Sequence, residues 1–331
     1  MLAAVATKYG SPNVLRISEV TKPKAKPNEV VVRVYASSVT AADMMMRRGA
    51  PYYGRLFLGL LKPKNSISGT GFAGEVDVIG SEVSEFDIGD RVFGETVFGV
   101  GSNAEFTCVP QNGIIMKMPE DISFDAASLL CDGPLTSMNF LKRLVDVKPG
   151  QRVLINGASG SLGTAAVQLA KYYGAHVTGV CSSANETMVK SLGADQIIDY
   201  TKMDFTKTGQ TWDMIYDTVG KSSFSKCKPI LTANGHYLSP VLDGTLWSML
   251  WTSMFGTKKA KFSATGVLPK PVLKLLLADV RELIVSGDLQ VVIDRRYRLD
   301  QIVEAHQYVD GGHKKGNVVL EGLDNGELFY S

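Results

Sequence analysis

The sequence predicts a two-domain α/β protein, with a doubly wound parallel sheet inserted into a mostly β domain built from both ends of the chain. Three observations predict it. A glycine cluster, Gly157, Gly160 and Gly163, lies between an apolar run at 153–155 and a helical run at 164–173. After Pro149-Gly150, strand-like and helix-like runs alternate, the pattern of a parallel sheet with crossover helices. Before residue 121 the runs are short and rich in valine and aromatics, with Pro23, Pro27, Gly80, Gly89-Asp90 and Pro110 as turn signals. The 331 residues suffice for roughly two domains.

Taken in order, the β domain is expected to hold strands at 14–20, 30–36, 74–80, 91–94 and 104–110. Residues 121–145 read as helices broken at Gly133-Pro134. The alternating region follows, with strands at 152–155, 176–180, 196–199, 214–217 and 236–239. Helices at 164–173, 186–192 and 224–231 connect them. A strand at 261–265 closes that sheet. A strong amphipathic helix at 272–285 stops at Gly287. Strands at 291–293 and 318–320 return to the first domain, because the second sheet is already full. The expected boundaries are 1–121 with 268–331 for the β domain and 122–267 for the inserted one.

The glycine cluster carries the chemistry. Strand, glycine turn, helix and second strand together form half of a dinucleotide-binding fold. The glycines let the backbone turn tightly and approach a pyrophosphate, and the helix N-terminus offers free N–H groups and partial positive charge. A glycine triplet alone is weak evidence, but this one has the strand before and the helix after that the motif requires.

Composition excludes other classes. Lys and Arg number 35 against 33 Asp and Glu, a net charge of +2. There is no long basic run to bind nucleic acid. Cys108, Cys131, Cys181 and Cys227 are far apart, with no C-x-x-C pair, which argues against a disulfide framework or a structural zinc cluster. The N-terminus lacks a signal-peptide pattern, so the expected compartment is cytoplasmic. The apolar stretch 246–255 is too short to span a membrane. Lys258, Lys259 and Lys261 follow it, so peripheral membrane contact through 246–261 stands beside burial under a lid or at a subunit contact.

At this point the residues resemble the medium-chain dehydrogenase/reductase superfamily, in its zinc-independent quinone oxidoreductase and enone reductase branch. The segments 68–80, 83–94 and 156–168 carry the likeness. So do 191–195 with 198–200, 216–220, and the tail from Ala305-His306 to Val319. The resemblance implies a GroES-like β-barrel catalytic domain, a Rossmann domain and a nicotinamide cofactor. It assigns Gly157, Ala158, Ser159, Gly160, Ser161, Leu162 and Gly163 to the pyrophosphate, and Ser182, Ser183 and Tyr200 to the adenosine end. Thr136 matches a position near the nicotinamide. Val219, Gly220 and Asn317 match cofactor-lining positions. A homodimer is implied too, through an edge strand of the nucleotide sheet.

Zinc alcohol dehydrogenases of this superfamily hold their metal with a cysteine, a His-Glu pair and a further cysteine. Alignment puts Thr40, Thr70-Gly71 and Asp132 (beside Cys131) at those positions. Hydroxyls are poor Zn²⁺ ligands, and His176, His236, His306 and His313 all lie elsewhere, so no zinc is expected. Without a Lewis acid, quinones and α,β-unsaturated carbonyls are the easier acceptors. NAD selectivity uses an acid about 20 residues past the glycine loop. None precedes Glu186 here, whereas Ser182 and Ser183 can donate to a 2′-phosphate or simply cap a helix. NADPH is therefore the expected cofactor, with NADH possible. Relatives carry an arginine where Ala184 stands and a lysine where Asn185 stands, so discrimination is expected to be weaker here.

The candidate catalytic residues are Thr40, Tyr52 and Asp43. Thr40 occupies a position often asparagine in quinone reductases. Tyr52 or Tyr53 could donate a proton, as could solvent. Asp43 lies four residues before Arg47, the spacing of a structural ion pair. Cys131 reads as a redox-sensitive thiol or an inert buried one, Met44 to Met46 as pocket lining or core, and Trp247 with Trp251 as a pocket wall or dimer contact. The expected protein is an NADPH-dependent oxidoreductase acting on quinones or activated alkenes. A metal-free alcohol or ketone dehydrogenase and a non-catalytic NADPH-binding redox sensor remain the alternatives.

Overall fold

In the computed structural model, described for residues 1–96, 101–241, 248–249, 251–252 and 256–322, the chain divides into two units. The first comprises Met1–Asp132, Pro269–Arg281 and Ile293–Ser331; the second comprises Gly133–Leu268 and Glu282–Val292. The division falls later than the 121/122 boundary read from the sequence. Residues 122–132 group with the first unit, where Arg91 donates to the carbonyls of Glu120 and Ile122, and Arg296 pairs with Asp125 at 2.6 Å.

The first unit begins with an antiparallel pair, β1 (Leu2–Ala6) and β2 (Leu15–Glu19). Then come β3 (Glu29–Ser38), helix α1 (Ala41–Arg48), the short α2 (Arg55–Leu58), β4 (Gly71–Ile79), β5 (Arg91–Glu95), β6 (Phe106–Pro110) and β7 (Ile114–Lys117). Valines at 30, 32 and 34 alternate inward on β3, as a half-buried strand requires, and pack with Phe72, Val76, Val92, Val109 and Ile115.

The second unit holds β8 (Arg152–Asn156), β9 (His176–Cys181), β10 (Gln196–Asp199), β11 (Trp212–Asp217), β12 (Leu231–Ser239) and β13 (Lys259–Phe262). All pair in parallel, in the order β10-β9-β8-β11-β12-β13. Val153, Leu154 and Ile155 are fully buried, because a parallel strand covered on both faces needs a continuous apolar run. Trp212, Ile215 and Tyr237 anchor one core beneath this sheet. The chain returns to the first unit with β14 (Ile293–Arg298) and β15 (Asn317–Glu321), which complete a seven-stranded sheet.

Strands β1 and β7 and the helix Ile302–Asp310 have no counterpart in the sequence reading, and three elements that it placed differ. The expected helix at 224–231 stops at Cys227 and continues only as a 3₁₀ turn, Lys228–Ile230, because Pro229 has no N–H to extend it. The strand placed at 291–293 begins at Ile293 instead. The closing strand of the second sheet is Lys259–Phe262, with a 3₁₀ turn over Thr265–Val267. Among the described residues, no helix is long and apolar enough to cross a membrane.

Candidate active site

Four adjacent parallel strands of the second unit bring the nucleotide candidates together. Gly157 to Gly163 follow β8, Ser182 and Ser183 follow β9, Tyr200 follows β10, and Val219 and Gly220 follow β11. All therefore stand at the carboxyl edge of one sheet, where open α/β folds bind ligands. The turn is tight. Gly157 has φ +81°, and a Cβ on it would come within 2.3 Å of Val219 Cγ2. A Cβ on Gly163 would lie 2.0 Å from the Gly157 carbonyl oxygen, so only glycine lets helix and loop approach this closely. The helix that follows, Ser161–Tyr172, has Gly160 as N-cap, no side-chain cap and no acid in its first turn. Its leading N–H groups thus face neither a side-chain acceptor at the cap nor a negative charge. A pyrophosphate fits this helix terminus in chemistry and sign.

Neighbouring side chains fix the rim. Asn185 Nδ2 donates to Ser159 Oγ at 3.1 Å. Ser137, one residue after Thr136 on the helix Gly133–Met138, donates to the Leu162 carbonyl at 2.9 Å. Asp217, fully buried at the end of β11, organises the loop beyond it. Its carboxylate accepts from Asn156 Nδ2 (2.8 Å), Gly220 N (3.0 Å), Ser222 N (2.8 Å) and Tyr237 Oη (2.9 Å). Sequence reasoning missed this role; the only signal was an acid closing an apolar strand.

It also missed Asp199. This carboxylate accepts from Thr201 N at 2.9 Å and Thr201 Oγ1 at 2.7 Å. Those bonds, with Lys202 and the Ser183 hydroxyl as lesser contributors, hold its pKa down to about 2. An acid thus stands beside the serines after β9, contributed by the next strand, and it engages Ser183. Ser182 makes no side-chain cap to the turn it precedes.

In the first unit, Thr40 N-caps α1 through a reciprocal capping box. Asp43 Oδ2 accepts from Thr40 N (2.7 Å) and Thr40 Oγ1 (2.8 Å), and Thr40 Oγ1 accepts from Asp43 N (3.2 Å). The expected Asp43–Arg47 ion pair does not form. Arg47 is buried and turns to Asp310 at 2.6 Å and to the Gly10 carbonyl at 2.7 Å, because the capping box already occupies Asp43. The register pairing Val319 with Ser38, and the bond from Val39 N to Val318 O, bring the start of β15 alongside the end of β3. Buried Asn317 therefore stands near Thr40.

Asp43 belongs to a group of acids that spacing did not reveal. Burial raises its pKa to about 7, with Asp132 adding repulsion while Thr40 and Thr70 hydrogen bonds oppose the rise. Burial likewise raises Glu95 to about 8, reinforced by Asp132 and Asp43. Both hold protons near neutrality more readily than ordinary carboxyls. Burial lowers the Lys314 ammonium, opposed by Asp132 and Asp294. Burial also raises the Cys131 thiol well above its usual value, which suits an inert cysteine.

A cavity of about 160 Å³ opens beside this group, lined by Asp43, Thr70 and Thr96 on one side and Tyr9, Phe57 and Leu58 on another. Met46 lines it too, whereas Met44 packs in the core and Met45 is exposed. Tyr52 does not reach it: its ring is 78% exposed and stacks with the Arg55 guanidinium. The Tyr53 side chain and Trp247 lie outside the described residues; Trp251 is exposed.

Comparison with known proteins agrees with this architecture. Residues 26–120 match the alcohol dehydrogenase GroES-like domain family, and residues 192–320 match the zinc-binding dehydrogenase family. The chain is 31% identical to the mouse protein NAD(P)H oxidoreductase RTN4IP1, mitochondrial, over 97% of this chain and 89% of that one. It is 30% identical to the Arabidopsis thaliana chloroplast envelope quinone oxidoreductase homolog, over 92% of each. The solved quinone oxidoreductase of Coxiella burnetii superposes with a TM-score of 0.87 at 28% identity, covering 97% of this chain and 99% of that one. The chain belongs to the medium-chain dehydrogenase/reductase superfamily, with a GroES-like domain and a Rossmann domain. Within it, the chain falls in the quinone oxidoreductase branch and is an oxidoreductase.

Proposed function

We propose that this enzyme uses NADPH to reduce quinones or α,β-unsaturated carbonyls without zinc. The observation that carries the reading is the glycine turn before an uncapped, acid-free helix N-terminus, at the carboxyl edge of a parallel sheet. NADPH, when bound, supplies the hydride. This chain's residues hold the pyrophosphate by backbone N–H groups, place Ser182 and Tyr200 at the adenosine end, and line the cofactor site with Thr136, Val219 and Gly220. Thr40 is the proposed contact to the acceptor oxygen; its hydroxyl donates to Asp43 Oδ2, so it must turn from Asp43 to donate to developing negative charge. Tyr52, exposed as it is, leaves solvent as the favoured proton source.

The residues do not fit a catalytic zinc. Thr40 and Thr70 offer hydroxyls that are engaged with Asp43. Among the described residues, no group of three His, Cys, Asp or Glu is arranged to hold a metal ion. For the cofactor, Ser182 supports NADPH, while Asp199 at the same rim tempers the preference. The edge strand β13 supports a homodimer formed through its open side.

The test is NADPH and NADH oxidation by chelator-treated enzyme, with a benzoquinone and a short enone as parallel acceptors. Turnover with a preference for NADPH is expected, and Ser182→Ala should raise KM for NADPH roughly 3- to 10-fold with little change for NADH. Activity that appears only on adding zinc overturns the reading.

A further inference from the structure

The segment 52–64 is a surface feature that the redox chemistry leaves unexplained. Leu56, Phe57, Leu60 and Leu61 are 67%, 69%, 66% and 92% exposed, all within six residues. Single exposed leucines are ordinary, but a contiguous set of large apolar side chains marks an interaction surface. The backbone holding them is well tied down. Gly59 N donates to the Arg55 carbonyl at 2.8 Å, Lys64 N to the Leu58 carbonyl at 2.7 Å, and Tyr9 Oη to the Gly59 carbonyl at 2.6 Å. Leu58 and one edge of Phe57 wall the cavity, while Leu56, Leu60 and Leu61 are exposed.

Charge identifies the occupant. No acidic residue occurs between Asp43 and Glu75, whereas Arg55, Lys62 and Lys64 flank the apolar tip, and Arg48 is paired with Asp310 at 2.8 Å. Lys62 and Lys64 are exposed, and among the described residues neither forms an ion pair. Arg55 bonds the Gly49 carbonyl and stacks on Tyr9 and Tyr52, so its charge is not neutralised by an acid. The lysines after 257 differ in exposure: Lys258 and Lys261 are half-buried, with their ammonium groups on the carbonyls of Lys228 and Leu144. A second copy fits the patch poorly, because a two-fold contact would set one basic rim against its twin. An apolar tip ringed by cations matches a bilayer with anionic headgroups: the side chains enter the acyl boundary while the cations meet the phosphates.

We propose that segment 52–64 docks the protein reversibly on anionic lipid bilayers. The test is co-sedimentation of the full chain with phosphatidylcholine vesicles, with and without about 30% phosphatidylserine. Binding is expected only to the anionic vesicles, weakening as salt rises from about 0.05 to about 0.5 M. The variant Leu56→Ser/Leu60→Ser/Leu61→Ser should weaken binding at least about 10-fold, and Lys62→Glu/Lys64→Glu should do so comparably. The altered leucines are exposed, so the melting temperature checks that the fold is kept. Equal binding to both vesicle types, or binding untouched by these substitutions, overturns the proposal. So does absence of vesicle binding with a concentration-dependent dimer that the leucine variant abolishes, which would assign the patch to a second copy.

Discussion

The nucleotide edge of the second unit and the acid group of the first are built by opposite means. At the nucleotide edge the proposed binding is by backbone. Glycines at 157 and 163 permit one close turn, and the helix behind it presents its own N–H groups. In the first unit, side chains from distant segments make the environment: Asp43 from α1, Glu95 from β5, Asp132 and Lys314. A backbone-built site is local in sequence and tolerates almost no added atoms. A side-chain-built site is dispersed and is tuned by burial.

Substitutions can break or sharpen that contrast. The largest effect is expected at Gly163. A valine there drives its side chain into the Gly157 carbonyl, so Gly163→Val should weaken NADPH binding at least about 100-fold and cost about 3 kcal/mol of stability. Gly160→Ala sharpens the result. Its Cβ meets only the Gly157 carbonyl at 3.5 Å, so thermal stability should hold while fluorescence titration shows weaker binding. If both variants bind NADPH like the parent, the turn is not the pyrophosphate site.

Next comes Asp217, a side chain on which the backbone site depends. Asp217→Ala leaves Gly220 N, Ser222 N and Tyr237 Oη without their acceptor, and should cost about 3 kcal/mol in urea unfolding. Loss below about 1 kcal/mol would mean that water replaces the carboxylate.

The smallest effect concerns the acid group and depends on pH. The folded protein keeps protons on Glu95 and Asp43 that the unfolded chain releases near pH 4. Unfolding therefore releases protons between about pH 4 and pH 8, and their contribution to stability falls as pH rises through that window. Glu95→Gln should raise stability by about 2 kcal/mol at pH 8.5 and by little at pH 4, the size tempered by the part of Glu95 open to solvent. A gain independent of pH would show that the ionisation of buried Glu95 is not the cause.

The same contrast explains what could be read in advance. The alternation after residue 150 and the return of the last strands to the first unit follow from periodicity, because buried strands and amphipathic helices impose their own spacing. The helix at 224–231 was read too long, since Pro229 within an apolar run ends it. The Asp43–Arg47 pair was read from spacing alone, but Thr40 and Asp310 competed for the two partners. Asp199 was overlooked beside Ser183 because the next strand, not the next residue, supplies it.

The sequence by itself determined the two architectures and the tight glycine turn before an uncapped helix, because those depend on short-range rules of period, turn and helix terminus. Only the tertiary structure decided which acids share a buried environment, which arginine meets which aspartate, and which leucines of segment 52–64 face water. Those outcomes depend on residues far apart in the chain, and on solvent removed by packing, and no local pattern encodes either.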